Sequence, residues 1–240
     1  MAVEYKATDL PGKSLYKKQF NVLLRPITPI EQKYILSLSQ KEQRTNAEYI
    51  AFLKKLVTFD NPEMTFEELY WADVQYILYK LRYITYAKFP IKLEFICGEC
   101  KERIVHELDI GAMEITEPDI NLQKTIFLDN LGEMPIRNKI IGDEIVIEQF
   151  CKKKHLDEND FQTQLLLMDL CALSGEKTLD ELYTLAEAGE ITAMDIINVE
   201  QWIVNNVWGV KENVTVKCAK CGKEVSRGYL LSIEDFFSIV

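Results

Sequence analysis

Ile91-Lys92-Leu93-Glu94-Phe95-Ile96-Cys97-Gly98-Glu99-Cys100-Lys101-Glu102-Arg103 is an extended apolar run that turns on a C-x-x-C. Val214-Thr215-Val216-Lys217-Cys218-Ala219-Lys220-Cys221-Gly222-Lys223-Glu224 repeats the plan far downstream. A further strand-like run follows each turn, so the order strand, C-x-x-C turn, strand occurs twice. Two residues between cysteines let both sulfurs of one turn reach one ion. Two such turns complete a tetrahedral shell of four thiolates, the ligand set of a closed zinc site. Cys97, Cys100, Cys218 and Cys221 are the candidate ligands, and the ion expected on them is a structural Zn2+. Four thiolates leave no position for a reacting water, so the site reads as a staple rather than a hydrolytic centre. Such an ion contributes about 10–16 kcal/mol of apparent folding free energy at neutral pH.

Other cysteine chemistries fit less well. A redox C-x-x-C sits at a helix N-terminus, where the thiol pKa falls; neither motif here precedes a helical pattern. Met1-Ala2-Val3-Glu4-Tyr5-Lys6 lacks the charged-then-apolar form of a secretory signal, which argues against disulfides. Iron bound in the rubredoxin manner takes the same four sulfurs and stays open at this point. His106 reads as a strand residue facing solvent or a neighbouring turn, because four sulfurs already suffice. Cys151 and His155 would share a helix face, but a half-buried thiol and a surface imidazole are the plainer account. Cys171 reads as a small core residue.

The 240 residues are 48% hydrophobic, with 11 Tyr, 11 Phe and 3 Trp, enough to build a packed core. Against 28 Lys and Arg stand 38 Asp and Glu, a net charge of −10. That balance argues against a general binder of nucleic acid or anionic membrane. Lys217, Lys220, Lys223 and Arg227 read as a solvated rim on the second hairpin. No apolar run approaches the ~20 residues of a membrane span. The compartment expected is a reducing cytoplasm, or a particle assembled in one.

Residues 1–24 read as an extended arm with a turn at Leu10-Pro11-Gly12-Lys13 and a buried strand from Phe20 to Leu24. Thr28 with Glu31 forms a capping box, with Pro29 in the first helical position, predicting a helix from Pro29 to Ser39. Thr45 opens a second helix through Leu56. Thr65 opens a long one to Tyr86, apolar nearly all round and hence buried on more than one side. Residues 111–140 read as a connector with one strand, Thr125 to Leu128. Gly142 to Lys154 is ambiguous, because Ile145, Val146, Ile147 and Phe150 suit either a strand or a helix; the reading taken is a strand turning into a helix. Three helices follow: Asn159 to Ser174 with a stop at Gly175, Thr178 to Gly189, and Thr192 to Val207. Ser232 starts a terminal helical turn carrying Phe236, Phe237, Ile239 and Val240, which either docks on its own core or inserts into a partner.

The fold class expected is α+β, predominantly helical, with two zinc-ribbon-like C-x-x-C β-hairpins closing around one Zn and a helical insertion between them. The division is 1–24 as arm, 25–110 as helices plus first hairpin, 111–210 as mostly helical insertion, and 211–240 as second hairpin and terminal turn. Residues 25–240 form one compact unit in this reading.

The sequence has no Gly-rich phosphate loop, no Gly-x-Ser-x-Gly and no His-Glu-x-x-His. Its acidic residues gather at helix starts such as Glu67-Glu68 and Asp180-Glu181, where they complement the helix dipole. No catalytic residue is nominated, and no small-molecule substrate is implied.

Leu10-Pro11-x-x-Ser14-Leu15-Tyr16, a short strand, then Arg25-Pro26-Ile27-Thr28-x-x-Glu31-x-Lys33-x-x-Leu36 resembles the opening of baseplate hub proteins of contractile-tailed phages of the T-even type. The resemblance is clearest over residues 10–36. It implies an architectural, non-enzymatic role as a baseplate component or a factor in assembling the hub. The implied partners are other baseplate and tail proteins, met in the host cytoplasm during assembly or in the virion tail. The alternative, from the cysteines alone, is a zinc-ribbon module that binds nucleic acid or assists transcription. Purified protein is expected to be colourless and to carry one equivalent of zinc by elemental analysis. A red protein would point to iron, and a metal-free one would remove the staple.

Overall fold

In the computed structural model, which describes residues 6–38, 46–86, 89–119, 121–157, 160–173, 175, 177–229, 231 and 236–237, the chain opens on a small antiparallel sheet. Strand β2 (Val22–Leu24) lies in its middle, between β1 (Lys6–Thr8) and β3 (Val57–Phe59). Val22 and Leu24 are buried, as the dense apolar run there requires. Over residues 6–24 the expected arm is held to the body. The Gly12 N–H donates to Asp73 Oδ1 (2.8 Å) and the Tyr16 hydroxyl to Asp73 Oδ2 (2.6 Å). The Tyr70 N–H in turn donates to the Tyr16 oxygen (2.9 Å). Burial pushes the Asp73 carboxyl up from its ordinary value, so these donors are what make its burial tolerable. Only glycine fits at position 12, where a Cβ would lie 2.5 Å from Asp73 Oδ2.

Helix α1 (Pro29–Leu38) starts as the capping box predicts. The Arg25 guanidinium forks onto Glu31 (2.6 and 2.9 Å), whose carboxylate also accepts from Thr28 N–H (2.9 Å). Helix α2 (Asn46–Leu53) follows; Ser39 and Thr45 lie outside the described residues. The long helix expected from Thr65 to Tyr86 is interrupted. The capping box at Thr65 opens only a 3-10 turn, Phe66–Glu68, and α3 runs from Trp71 to Tyr86. Leu69 and Tyr70 are extended because their backbone pairs elsewhere: Ile141 N–H donates to Leu69 O (2.9 Å) and Trp71 N–H to Lys139 O (3.0 Å). Tertiary hydrogen bonds override helix propensity there.

Strands β4 (Ile91–Ile96) and β5 (Arg103–Leu108) pair antiparallel around the first C-x-x-C. The stretch 111–140 carries more strand than expected: β6 (Ile115–Thr116), and a hairpin of β7 (Thr125–Leu128) with β8 (Gly132–Pro135). Ile141–Lys154 is helical throughout, as α4, not a strand that turns into a helix. Arg137 forks onto Asp143 (2.7 and 2.8 Å), and Ile140 N–H donates to the same carboxylate (2.9 Å), which fixes the helix start. His155 is the left-handed cap of α4 (φ 57°), and Cys151 is buried within that helix.

Helices α5 (Phe161–Ala172), α6 (Leu179–Glu187) and α7 (Ala193–Asn205) follow. The cap of α5 is Asp160, accepting from Thr163 N–H (2.8 Å); Asn159 and Ser174 lie outside the described residues. Strand β9 (Gly209–Val210) pairs with β6, and β10 (Asn213–Lys217) pairs with β11 (Glu224–Gly228) around the second C-x-x-C.

One apolar core joins the first sheet, α1 to α3, and Ile91, Leu93 and Leu108 of the first hairpin. A second gathers the β7–β8 hairpin with α4 to α7, around Leu128, Phe150, Leu167 and Val199. The described part of the C-terminal turn docks on the chain's own core. Phe236 stacks edge-on against Tyr79 and Phe237 against Phe52, while Arg82 donates to the Phe236 carbonyl (2.9 Å). The remainder of that turn lies outside the described residues.

Asp73→Ala strands the Gly12 N–H and Tyr16 hydroxyl in the interior and is expected to cost about 3 kcal/mol, and Tyr16→Phe about 1 kcal/mol, read by urea denaturation. Glu31 is held at about 2, chiefly by the Arg25 fork, below its ordinary 4.5. A depressed carboxyl stabilises the fold above its ordinary value, and that contribution is lost as pH falls towards the folded value. Wild type should therefore lose stability between pH 4.5 and 2 relative to Glu31→Gln. Parallel stability curves over that window would contradict the assignment.

Candidate metal centre

The four cysteines come together. Their sulfurs all lie within 4.8 Å of one another, with Cys97 Sγ 3.7 Å from Cys221 Sγ and Cys100 Sγ 3.6 Å from Cys218 Sγ. A disulfide needs about 2.05 Å. A tetrahedral ion with bonds of about 2.3 Å sets its sulfurs about 3.8 Å apart. The donor set and spacing thus fit a tetrahedral thiolate site, and the four are free thiols.

Each pair of ligands is aimed by its own backbone. In the first turn Cys97 N–H donates to Glu102 O (2.9 Å) and Lys101 N–H to Cys97 O (3.0 Å). In the second, Cys218 N–H donates to Lys223 O (2.8 Å) and Gly222 N–H to Cys218 O (2.9 Å). The residue four after the leading cysteine is left-handed in both, Lys101 at φ 59° and Gly222 at φ 74°. Glycine takes that conformation without penalty, lysine at a cost. The backbone N–H groups of Cys100 and Glu99 point at Cys97 and pull its thiol down to about 6. Those of Cys221 and Lys220 lower Cys218 likewise. Cations close by are the natural complement of thiolates so favoured.

Cys97 and Cys218 are buried and Cys221 is exposed, so the centre sits at the rim of the molecule over a small apolar layer of Ile104, Val216 and Val225. Two ion pairs cross between the hairpins: Lys220 to Glu102 (3.1 Å) and Lys223 to Glu99. The reading of these lysines as a solvated rim missed the pairs. The available signal was opposite charge at matching positions of the two motifs. His106 lies on β5 opposite Leu93, outside the sulfur cluster.

The sulfurs are not the sole tie between distant segments. β6 pairs with β9, Lys211 bonds Glu114 (2.5 Å), and Tyr79 donates to Glu212 (2.9 Å). Gly209, at φ 104°, lies against Ala72 of α3. The hairpins are thus brought near one another by packing before any ion is considered.

Among proteins already described, residues 2–238 match the model of a family described as T4 bacteriophage base plate protein. No curated protein and no solved structure matches the chain.

Cobalt(II) added to the metal-free chain should give the absorption of a tetrahedral tetrathiolate site. Cys97→Ser or Cys218→Ser should abolish that spectrum. Binding should also release protons and weaken on acidification, because the ligands are thiolates. A spectrum of octahedral cobalt would exclude the site.

Proposed function

The chain belongs to the T4 bacteriophage base plate protein family, and from that premise we propose that it is a non-catalytic building block of the baseplate hub, or a factor that assembles it. One structural zinc on Cys97, Cys100, Cys218 and Cys221 holds its two hairpins together. The observation that carries the zinc reading is the sulfur cluster, with spacing suited to a tetrahedral ion and all four positions filled by protein. A closed shell of this kind supplies rigidity and no reaction site. The packing agrees with a rigid block, because the N-terminal loop is pinned to Asp73 and the terminal phenylalanines are seated on the core.

Members of a baseplate act on one another through their surfaces, so the partners are other tail proteins, and assembly takes place in the host cytoplasm. No helix among the described residues is long and apolar enough to cross a membrane. The nucleic-acid alternative loses support at the second hairpin, where Lys220 and Lys223 are engaged by Glu102 and Glu99.

A tagged chain expressed during infection is expected to copurify with baseplate or tail-assembly intermediates, and its loss to leave tails without complete baseplates. Intact tails without it, together with its absence from every intermediate, would overturn the proposal. A gel-shift assay at low salt should show no binding to DNA or RNA.

A further inference from the structure

The two halves of the chain repeat one hydrogen-bond skeleton, beyond the two cysteine turns. In each half a hairpin leads into an arginine that forks onto the third residue of the next helix: Arg25 onto Glu31, and Arg137 onto Asp143. The same arginine bonds the carbonyl one residue on, Pro26 (3.3 Å) or Asn138 (3.1 Å). Its own N–H donates to a carbonyl at or just past the end of the half's second helix, Leu56 O (3.2 Å), three residues beyond α2, or Ala172 O (3.0 Å), the last residue of α5. The residues three and one before it match in burial, Val22 and Leu24 against Met134 and Ile136.

Capping boxes then recur at Thr65 with Glu68 and at Thr178 with Glu181. The last helix of each half carries a buried aspartate in its first turn that accepts from the loop after the first strand. Gly12 N–H donates to Asp73 (2.8 Å), and Asp129 N–H to Asp195 (3.0 Å). After that helix each half delivers its C-x-x-C hairpin. The halves differ by local growth: a longer loop and the extra strand β3 in the first, a full α6 in the second where the first has a 3-10 turn.

At the metal centre the two copies meet face to face. Exchanging the hairpins turns the contact Cys97–Cys221 into Cys218–Cys100, and both contacts exist, at 3.7 and 3.6 Å. The same exchange turns Glu99–Lys223 into Lys220–Glu102, and both of these exist as well. The charge, however, is inverted: acidic at both positions of the first hairpin, basic at both positions of the second. Two first hairpins laid together would set Glu99 against Glu102, and two second hairpins Lys220 against Lys223. Specificity is a difference between the right pairing and the wrong ones, and like charges penalise the wrong ones.

We propose that the chain is a tandem pair of one folding unit whose metal centre is the seam between the copies, and that Glu99 and Glu102 against Lys220 and Lys223 select the unlike pairing of hairpins. This rests on the zinc reading of the four cysteines. The four charged side chains touch no reacting atom; they are positioning residues for the ligands.

The test uses the full zinc-loaded chain and measures the rate of zinc transfer to a chelator. Lys220→Glu with Lys223→Glu makes both hairpins acidic, and Glu99→Lys with Glu102→Lys makes both basic. Both double variants are expected to release zinc about tenfold faster at low salt, with the difference narrowing at high salt. The fourfold variant, with all four charges exchanged, should return to the wild-type rate, which also shows that the substitutions leave the fold intact. Shifts of opposite sign in the two double variants would mean that only the net local charge acts, and would overturn the pairing rule. So would a fourfold variant no slower than the doubles. If wild type holds one zinc and the variants behave in those ways, the pairing rule alone falls. If wild type holds no metal, the zinc reading falls and takes the rule with it.

Discussion

Four thiol sulfurs within 4.8 Å of one another are the constraint that shapes the rim of this protein. Backbone N–H groups aimed at Cys97 and Cys218 favour the ionised form of each, and several thiolates this close repel one another unless a cation shares them. Two hairpins surround them. Each is a short antiparallel pair closed by the same left-handed turn, and among the described residues a few apolar side chains lie beneath the sulfurs. So thin a layer buries little area, and an ion is the larger source of stability available to it.

Away from the centre, carboxylates at helix starts organise the chain, Asp73, Asp143 and Asp195 buried and Glu31 partly so. Glu31 and Asp143 each tie a helix start to the strand before it through an arginine fork. Asp73 and Asp195 each tie a helix start to a loop many residues away. Acidic residues at helix starts are commonly exposed partners of the dipole. Here several are taken inside and satisfied by specific donors, which converts a local cap into a tertiary joint. The abundance of acid in the composition is therefore partly structural, and its sign alone says less about partners than the pairing does.

Membership of a baseplate family gives these features a common sense. A part that must stack against other proteins needs a fixed shape more than a reactive group. The ties are redundant: β6 with β9, Tyr79 with Glu212, Phe236 on Tyr79, and the sulfur cluster. Closure by packing shortens the effective loop that an ion would close, and so lowers the entropy the ion must overcome.

The residues by themselves determined the parts governed by short-range chemistry. The C-x-x-C spacing picked out the four cysteines, and the capping boxes at Thr28, Thr178 and Thr192 marked helix starts within a residue. Periodicity could not choose between strand and helix at Gly142 to Lys154, because the deciding contact is the fork from Arg137, whose target is set by geometry rather than by pattern. Nor could it see the break at Leu69 and Tyr70, which exists because backbone groups there pair with residues 139–141 from the other half of the chain. Opposite charges at matching positions of the two cysteine motifs were legible in the sequence, yet only the meeting of the hairpins made them partners. Local patterns encode what a segment prefers alone, and long-range hydrogen bonds and packing decide which preference survives.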